Sequence, residues 1–155
     1  CLLNINNEVA TAIRLVGTKI RQTTHNFSVS YENGLPDICV NAQRIEQIII
    51  NLILNACQAL TNVNQQVSVI TSYAKQDKKI MISIIDEGSG IDESNVKRLT
   101  DPFFTTKRAH GGTGLGLSIS STIASAYGGK LIFNSQKDIG TEVTLELPLV
   151  NIKKV

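Results

Sequence analysis

The sequence has no tryptophan, and aromatic residues make up only 5% of its 155 positions. It also lacks an excess of charge of either sign, with 15 basic against 13 acidic residues and a net of +2. A nucleic-acid-binding surface, which needs clustered cations and stacking rings, is therefore not expected. Long apolar runs are missing too. The longest, Ile48 to Ala59, is interrupted by Asn51, Asn55 and Gln58 and falls short of the roughly 18 apolar residues that cross a bilayer. No direct membrane contact is expected of this piece. Cys1, Cys39 and Cys57 are far apart and form no CxxC or Cys/His cluster, which argues against a disulfide framework or zinc site and for a reduced, cytoplasmic setting. No leader pattern opens the chain, and a start at Cys1 without Met suggests a fragment or processed form.

What is present fits one domain, since 155 residues leave no room for a second core. An apolar fraction of 42% with 18% charged residues argues for a folded chain over a disordered one. Without repeats or low-complexity tracts, the chain reads as alternating helical and strand patterns, a mixed α+β class. Val9, Ile13, Val16 and Ile20 recur at helical spacing over residues 8–24, and a short strand follows over 26–30. Gly34, Pro36 and Asp37 mark a turn. A long helix is predicted over 41–61, then strands over 67–73 and 79–86. A further helix over 115–127 ends at Gly128 and Gly129, and strands over 130–135 and 141–148 close the domain. Between residues 86 and 113 the regular pattern stops, and connections of that length inside a compact domain tend to be lids or binding elements.

The long helix carries one wet stripe. At 100° per residue, Arg44, Gln47, Asn51, Asn55 and Gln58 fall within a sector of roughly 80°, with isoleucine, leucine and alanine around the rest. Amides on such a stripe must find partners. These can be ordinary hydrogen bonds in the core, or a ligand: an Asn carbonyl is a neutral oxygen donor able to complete the shell of a magnesium ion held by phosphates and waters.

Two glycine elements follow. The strand over 79–86 delivers Asp86 directly into Glu87-Gly88-Ser89-Gly90-Ile91. Those glycines permit either a plain turn or the close approach of a flat ligand, and an ionised carboxylate suits an exocyclic amine such as that of adenine. The second element, Gly111 to Ser118, runs into a helix, where bare N–H groups and the positive end of the helix dipole suit phosphate. It is neither a P-loop, lacking Gly-Lys-Ser/Thr, nor a dinucleotide fingerprint, which would follow a strand at once. Between them lies Asp101-Pro102-Phe103-Phe104-Thr105-Thr106-Lys107, whose rings suit either the core or a mobile lid, with Lys107 able to meet phosphate.

Taken together, Asn-Leu-Ile-Leu-Asn-Ala (51–56), Asp-Glu-Gly-Ser-Gly-Ile (86–91), Pro-Phe-Phe-Thr-Thr-Lys (102–107) and Gly-Thr-Gly-Leu-Gly-Leu-Ser (112–118) resemble the N, G1, F and G2 boxes of the catalytic ATP-binding domain of bacterial sensor histidine kinases. The likeness spans roughly residues 4–150 of a single catalytic domain over 1–155, and the Phe-Phe-Thr-Thr-Lys form is similar to that of the nitrogen-regulation subgroup. It implies a Bergerat-type α/β sandwich of the wider GHKL superfamily, with helices on one face of a mixed sheet and a flexible ATP lid.

By the resemblance, Asn55 coordinates Mg²⁺, with Asn51 and Gln58 beside the phosphates. Asp86 accepts from the adenine amine, Gly88 shapes the turn, Gly90 and Ile91 line the base pocket, and Thr141 supports the adenine contact. Lys107 and the backbone of Thr113, Gly114, Leu115, Gly116 and Leu117 take the phosphates. Related hydrolases such as DNA gyrase carry a water-activating Glu where this chain has Asn51, and an amide cannot serve as a general base. Phosphoryl transfer to a histidine is the implied reaction, with Mg²⁺ and Lys107 spread over the phosphate charge. A non-catalytic nucleotide-binding module of the same fold is the alternative.

Neither His25 nor His110 matches the family's phosphoacceptor motif, so His25 reads as a helix-end residue and His110 as an exposed lid residue. The implied partners are a histidine-bearing dimerisation domain of the same protein, absent here, and a downstream response regulator. The parent is implied to be a homodimer, cytoplasmic in this part and able to be membrane-anchored elsewhere.

Overall fold

The computed structural model describes residues 2–91 and 116–149. Helix formation begins at a side-chain cap: Asn4 Oδ1 accepts from the Asn6 N–H at 2.8 Å and opens α1 (Ile5–Leu15), whose Ile5, Val9 and Ala12 are fully buried. The single helix predicted over 8–24 is two. Val16, with φ −109° and ψ 17°, separates α1 from α2 (Gly17–Thr23), at a β-branched residue followed by glycine, both poor helix formers. Strand β1 (Leu2–Leu3) pairs antiparallel with β3 (Ile38–Cys39), a short ribbon with no period to betray it in the sequence. This ribbon lays the start of the chain alongside residue 39. Cys39 is disulfide-bonded, which corrects the expectation of no disulfide, whereas Cys57 is buried and takes part in no disulfide. Separation along the sequence concealed that proximity.

The main sheet has five strands in the order β2 (Asn26–Ser30), β4 (Gln66–Ala74), β5 (Lys79–Asp86), β7 (Gly140–Pro148), β6 (Lys130–Gln136). The pair β2·β4 is parallel and the other three pairs are antiparallel, so the sheet is mixed, as expected. Alternation sorts its faces. Val67, Val69, Ile80, Ile82, Ile84, Leu145 and Leu147 point inward and are buried. The outward residues include the Ser28–Ser68 and Ser83–Thr144 hydroxyl pairs and the Lys79–Glu146 ion pair at 3.1 Å.

Helices cover the inward face: α3 (Ala42–Ala59) packs on β5, and α4 (Gly116–Ala126) on β6 and β7, with α1, α2 and α4 against α3. Asn41 caps α3 through Arg44 N–H at 2.9 Å, and Ile45, Ile48, Ile49, Leu52, Ile53, Ala56 and Cys57 are buried along it. Each fully buried isoleucine contributes about 1.5–3 kcal/mol, which makes α3 the keel of the core. Gly128, at φ +76°, ends α4, and Gly129 N–H returns to the Ala124 carbonyl at 2.9 Å. Among the described residues no helix is long and apolar enough to cross a membrane.

Candidate nucleotide site

The inward face changes character at one end of the sheet. Successive partners across three strands are Asp86 in β5, Thr141 in β7 and Ser135 in β6, so all three project to the helix side of one transverse row. Asp86 and Thr141 are buried at 7% and 8% exposure, among the few buried polar side chains described. Such groups persist only when satisfied. Asp86 Oδ1 accepts from the Gly88 N–H at 2.8 Å, closing a tight turn onto the carboxylate just as the strand ends. Thr141 Oγ1 lies 2.7 Å from Ser135 Oγ, which accepts in turn from Ile91 N–H at 2.8 Å.

The glycines of this end are dictated by approach. A Cβ on Gly88 would sit 2.3 Å from the Ala59 carbonyl oxygen at the end of α3, where Ser89 N–H donates at 3.0 Å. Gly90, at φ +70°, would place a Cβ 2.0 Å from the Gln136 carbonyl oxygen. Backbone therefore packs on backbone from Asp86 to Ile91, pinned between α3 and the β6–β7 hairpin. The same holds for Gly140, whose Cβ would lie 2.1 Å from the Asp86 carbonyl oxygen.

The second part of the site is helical. Gln47 and Gln58 are exposed on α3, and Asn51 and Asn55 are half-buried, so the stripe drawn from the sequence is the wet edge of α3. Asn51 Nδ2 donates to Ser120 Oγ at 3.2 Å and approaches the Gly116 carbonyl at 3.5 Å. Asn51 thus faces the first turns of α4, which Gly116 opens. Leu117, half-buried, packs against the core from the same turn. Asn55 also has a partner within the structure.

Of the residues singled out in the sequence, Asp86, Gly88, Gly90, Ile91 and Thr141 form one cluster. Asn51, Gly116 and Leu117 meet in another, with Asn55 and Gln58 further along the same edge of α3. Lys107, Thr113, Gly114 and Leu115 lie outside the described residues, as do Phe103, Phe104 and His110. His25 stands exposed just past the end of α2, its N–H on the Val63 carbonyl at 2.8 Å, as a helix-end residue should. Ser135 and Ser120 were not singled out. Ser135 could have been found by counting back across the turn at 137–140 from Thr141, and Ser120 by continuing α4 one turn from Gly116.

Among the described residues no three His, Cys, Asp or Glu side chains are grouped as a metal cage. The oxygen donors at hand are Asn amides, a set suited to a hard cation brought in largely by another ligand's oxygens. Away from the site, Glu8 on α1 has its carboxyl pushed up, first by a hydrogen bond with Glu46 on α3, then by burial and by that residue's charge.

Comparison with known proteins gives these clusters a setting. The Escherichia coli signal transduction histidine-protein kinase AtoS is 35% identical over 147 residues, 95% of this chain but 24% of AtoS. The chain spans about a fifth to a third of the length of the curated relatives it matches. A nucleotide-free catalytic domain of histidine kinase ThkA superposes with a TM-score of 0.82 at 29% identity, covering 97% of this chain and 98% of that one. A complex of histidine kinase ThkA with the response regulator protein TrrA matches at 27% identity and a TM-score of 0.80, covering 99% of this chain and 43% of that one. The profile described as histidine kinase-, DNA gyrase B-, and HSP90-like ATPase matches residues 40–151, from the cap of α3 past the end of β7, and the chain belongs to that ATPase family.

Proposed function

We propose that this chain is, over residues 1–155, a single catalytic domain that binds Mg·ATP and donates the γ-phosphoryl group to a histidine on a separate dimerisation domain of the same sensor kinase. The observation that carries the reading is the pairing of two chemistries along one edge of α3. The buried Asp86 carboxylate lies at the end where Gly88 meets Ala59, and Asn51 of the amide stripe meets the start of α4.

Asp86, held as an acceptor by the Gly88 turn, would receive the adenine amine, with Thr141 beside it and Gly90 and Ile91 lining the base. Asn55 would supply an amide oxygen to Mg²⁺, which when bound neutralises phosphate charge and holds the transferring group. Gln58 would reach the phosphates from the exposed edge of α3. Lys107 and the N–H groups of Thr113, Gly114, Leu115, Gly116 and Leu117 would hold the phosphate oxygens at the start of α4. Asn51 keeps its amide on Ser120 and is chemically unable to act as a base, which favours transfer over hydrolysis.

In that transfer the neutral imidazole nitrogen of the acceptor attacks the γ-phosphorus. A P–N bond forms, the bond to the β–γ bridging oxygen breaks, ADP departs with the electron pair, and the imidazole loses its proton to solvent. The acceptor domain, homodimerisation of the parent, a downstream response regulator and a cytoplasmic location without membrane or nucleic-acid contact belong to the same proposal. Its support is the likeness to the kinases above, and the location draws nothing from the cysteines.

Mixing the chain with a histidine-bearing dimerisation domain and labelled ATP tests it. Acid-labile phosphate on that domain is expected. Tight nucleotide binding with no label would make this a non-catalytic module, and steady hydrolysis by the chain alone would make it a hydrolase.

A further inference from the structure

Asn51 and Ser120 meet where α3 packs on α4. Ser120 is fully buried, one of the few buried polar side chains described, and its Oγ accepts from Asn51 Nδ2 at 3.2 Å. The Gly116 carbonyl lies 3.5 Å from the same nitrogen. A hydroxyl either donates or accepts, but a carbonyl only accepts, so the two together admit the Asn51 amide with its NH₂ turned to α4. Turned the other way, Asn51 would set its own carbonyl oxygen against that of Gly116.

That commitment decides what Asn51 offers on its other side. Among the described residues Asn51 Oδ1 has no hydrogen-bond partner, and no buried side-chain oxygen goes unpaired, so this oxygen is open to solvent at the wet edge of α3. An amide oxygen has lone pairs and no proton. It cannot hold a phosphate oxygen, and it suits a hard cation or a water that such a cation holds. Asn55 stands one helical turn further along the same edge, half-buried like Asn51.

We propose that Ser120 is a positioning residue: by holding the Asn51 NH₂ it fixes the amide oxygen toward the cation of a Mg·nucleotide, beside Asn55, and so strengthens the metal-dependent part of binding. This rests on the reading of that edge of α3 as the metal side of the nucleotide. Without the Ser120 hydroxyl only the Gly116 contact remains, at 3.5 Å the outer limit of a hydrogen bond. The amide is then free to turn about its last torsion and to present NH₂ or oxygen to the ligand. The base-contacting end at Asp86 is on the sheet and is untouched.

The test is calorimetric titration of the chain and its Ser120→Ala variant with ATP, in Mg²⁺ and in chelator. The factor by which Mg²⁺ tightens ATP is expected to fall roughly three- to tenfold in the variant, the scale of one hydrogen bond between neutral groups, with affinity in chelator unchanged. In an Asn51→Ala background, Ser120→Ala is expected to have no further effect on that factor, because it acts through Asn51. If Ser120→Ala melts below the assay temperature, Ser120→Cys, a poorer acceptor of similar shape, takes its place with the same expectation. Equal weakening with and without Mg²⁺, as from a merely structural residue, overturns the inference. So does an unchanged factor, or an effect that persists without Asn51. Wild-type binding that ignores Mg²⁺, or no binding at all, overturns instead the reading of the site on which the inference stands.

Discussion

The two ends of the candidate site are built in opposite ways. At the sheet end, Asp86, Thr141 and Ser135 come from three adjacent strands, and the glycines around them bring backbone within touching distance of backbone. At the helical end, Asn51, Asn55 and Gln58 lie along one edge of α3, and Asn51 reaches the first turns of α4. The sheet end is a fixed template whose members depend on one another, whereas the helical end is a set of separate arms. A substitution at the first should disturb geometry and specificity together, and one at the second should remove a single function and leave the fold intact.

The sharpest break in that contrast is Asn55→Ala. Phosphoryl transfer to a supplied dimerisation domain should fall roughly 10²–10³-fold, the scale of deleting one group that stabilises transition-state charge, with melting temperature little changed. Wild-type labelling by that variant would remove Asn55 from the site. Asp86→Asn acts at the other end. Exchanging an acceptor for an amide should weaken ATP about 10- to 100-fold, in line with the loss of a hydrogen bond to a charged group, and should narrow the preference over GTP. An unaltered preference would dismiss Asp86 as the base selector.

Gly90→Ala probes the template itself. A left-handed φ and a Cβ 2.0 Å from the Gln136 carbonyl should cost about 1–3 kcal/mol, read as a lower melting temperature accompanied by weaker nucleotide binding. Loss of either property without the other would separate fold from site where we expect them joined.

Farthest from both ends, Glu8→Gln should have the smallest effect. The Glu8 carboxyl is raised by its hydrogen bond with Glu46, so the favourable contribution is present at low pH and is lost as pH rises through the folded value. The variant should therefore melt on the order of 1 °C higher than wild type at neutral pH, with the gap closing under acid conditions. A variant less stable at pH 7 would show that the pair is held by contacts other than shared protonation.

Much of this contrast could be read in the sequence, because the features that carry it are periodic or local. Alternating apolar residues over 79–86 give a strand and deliver Asp86 to its end. A 3.6-residue period over 41–61 gives both the buried keel of α3 and its wet edge. The positive φ of Gly128 at the end of α4 follows from glycine chemistry alone.

Where the outcome depends on partners distant in sequence, the pattern is silent. The apolar spacing from Val9 to Ile20 runs through Val16 without registering that the helix breaks there. Two-residue strands such as β1 and β3 have no period, so neither their pairing nor the bonding of Cys39 is visible. The parallel placement of β2 beside β4 needs the register of a crossover. Ser135 illustrates the limit best: a serine in a short strand is ordinary until the register sets it against Thr141 and brings Ile91 N–H to its oxygen.

The most direct measurement of the central claim is calorimetric titration of the wild-type chain with ATP and with GTP, each with and without Mg²⁺. A template at the sheet end joined to metal-assisted phosphate binding at the helical end predicts saturable ATP binding that strengthens with Mg²⁺ and is at least about tenfold tighter than GTP. No heat of binding at millimolar nucleotide, or equal affinity for the two bases, would contradict it.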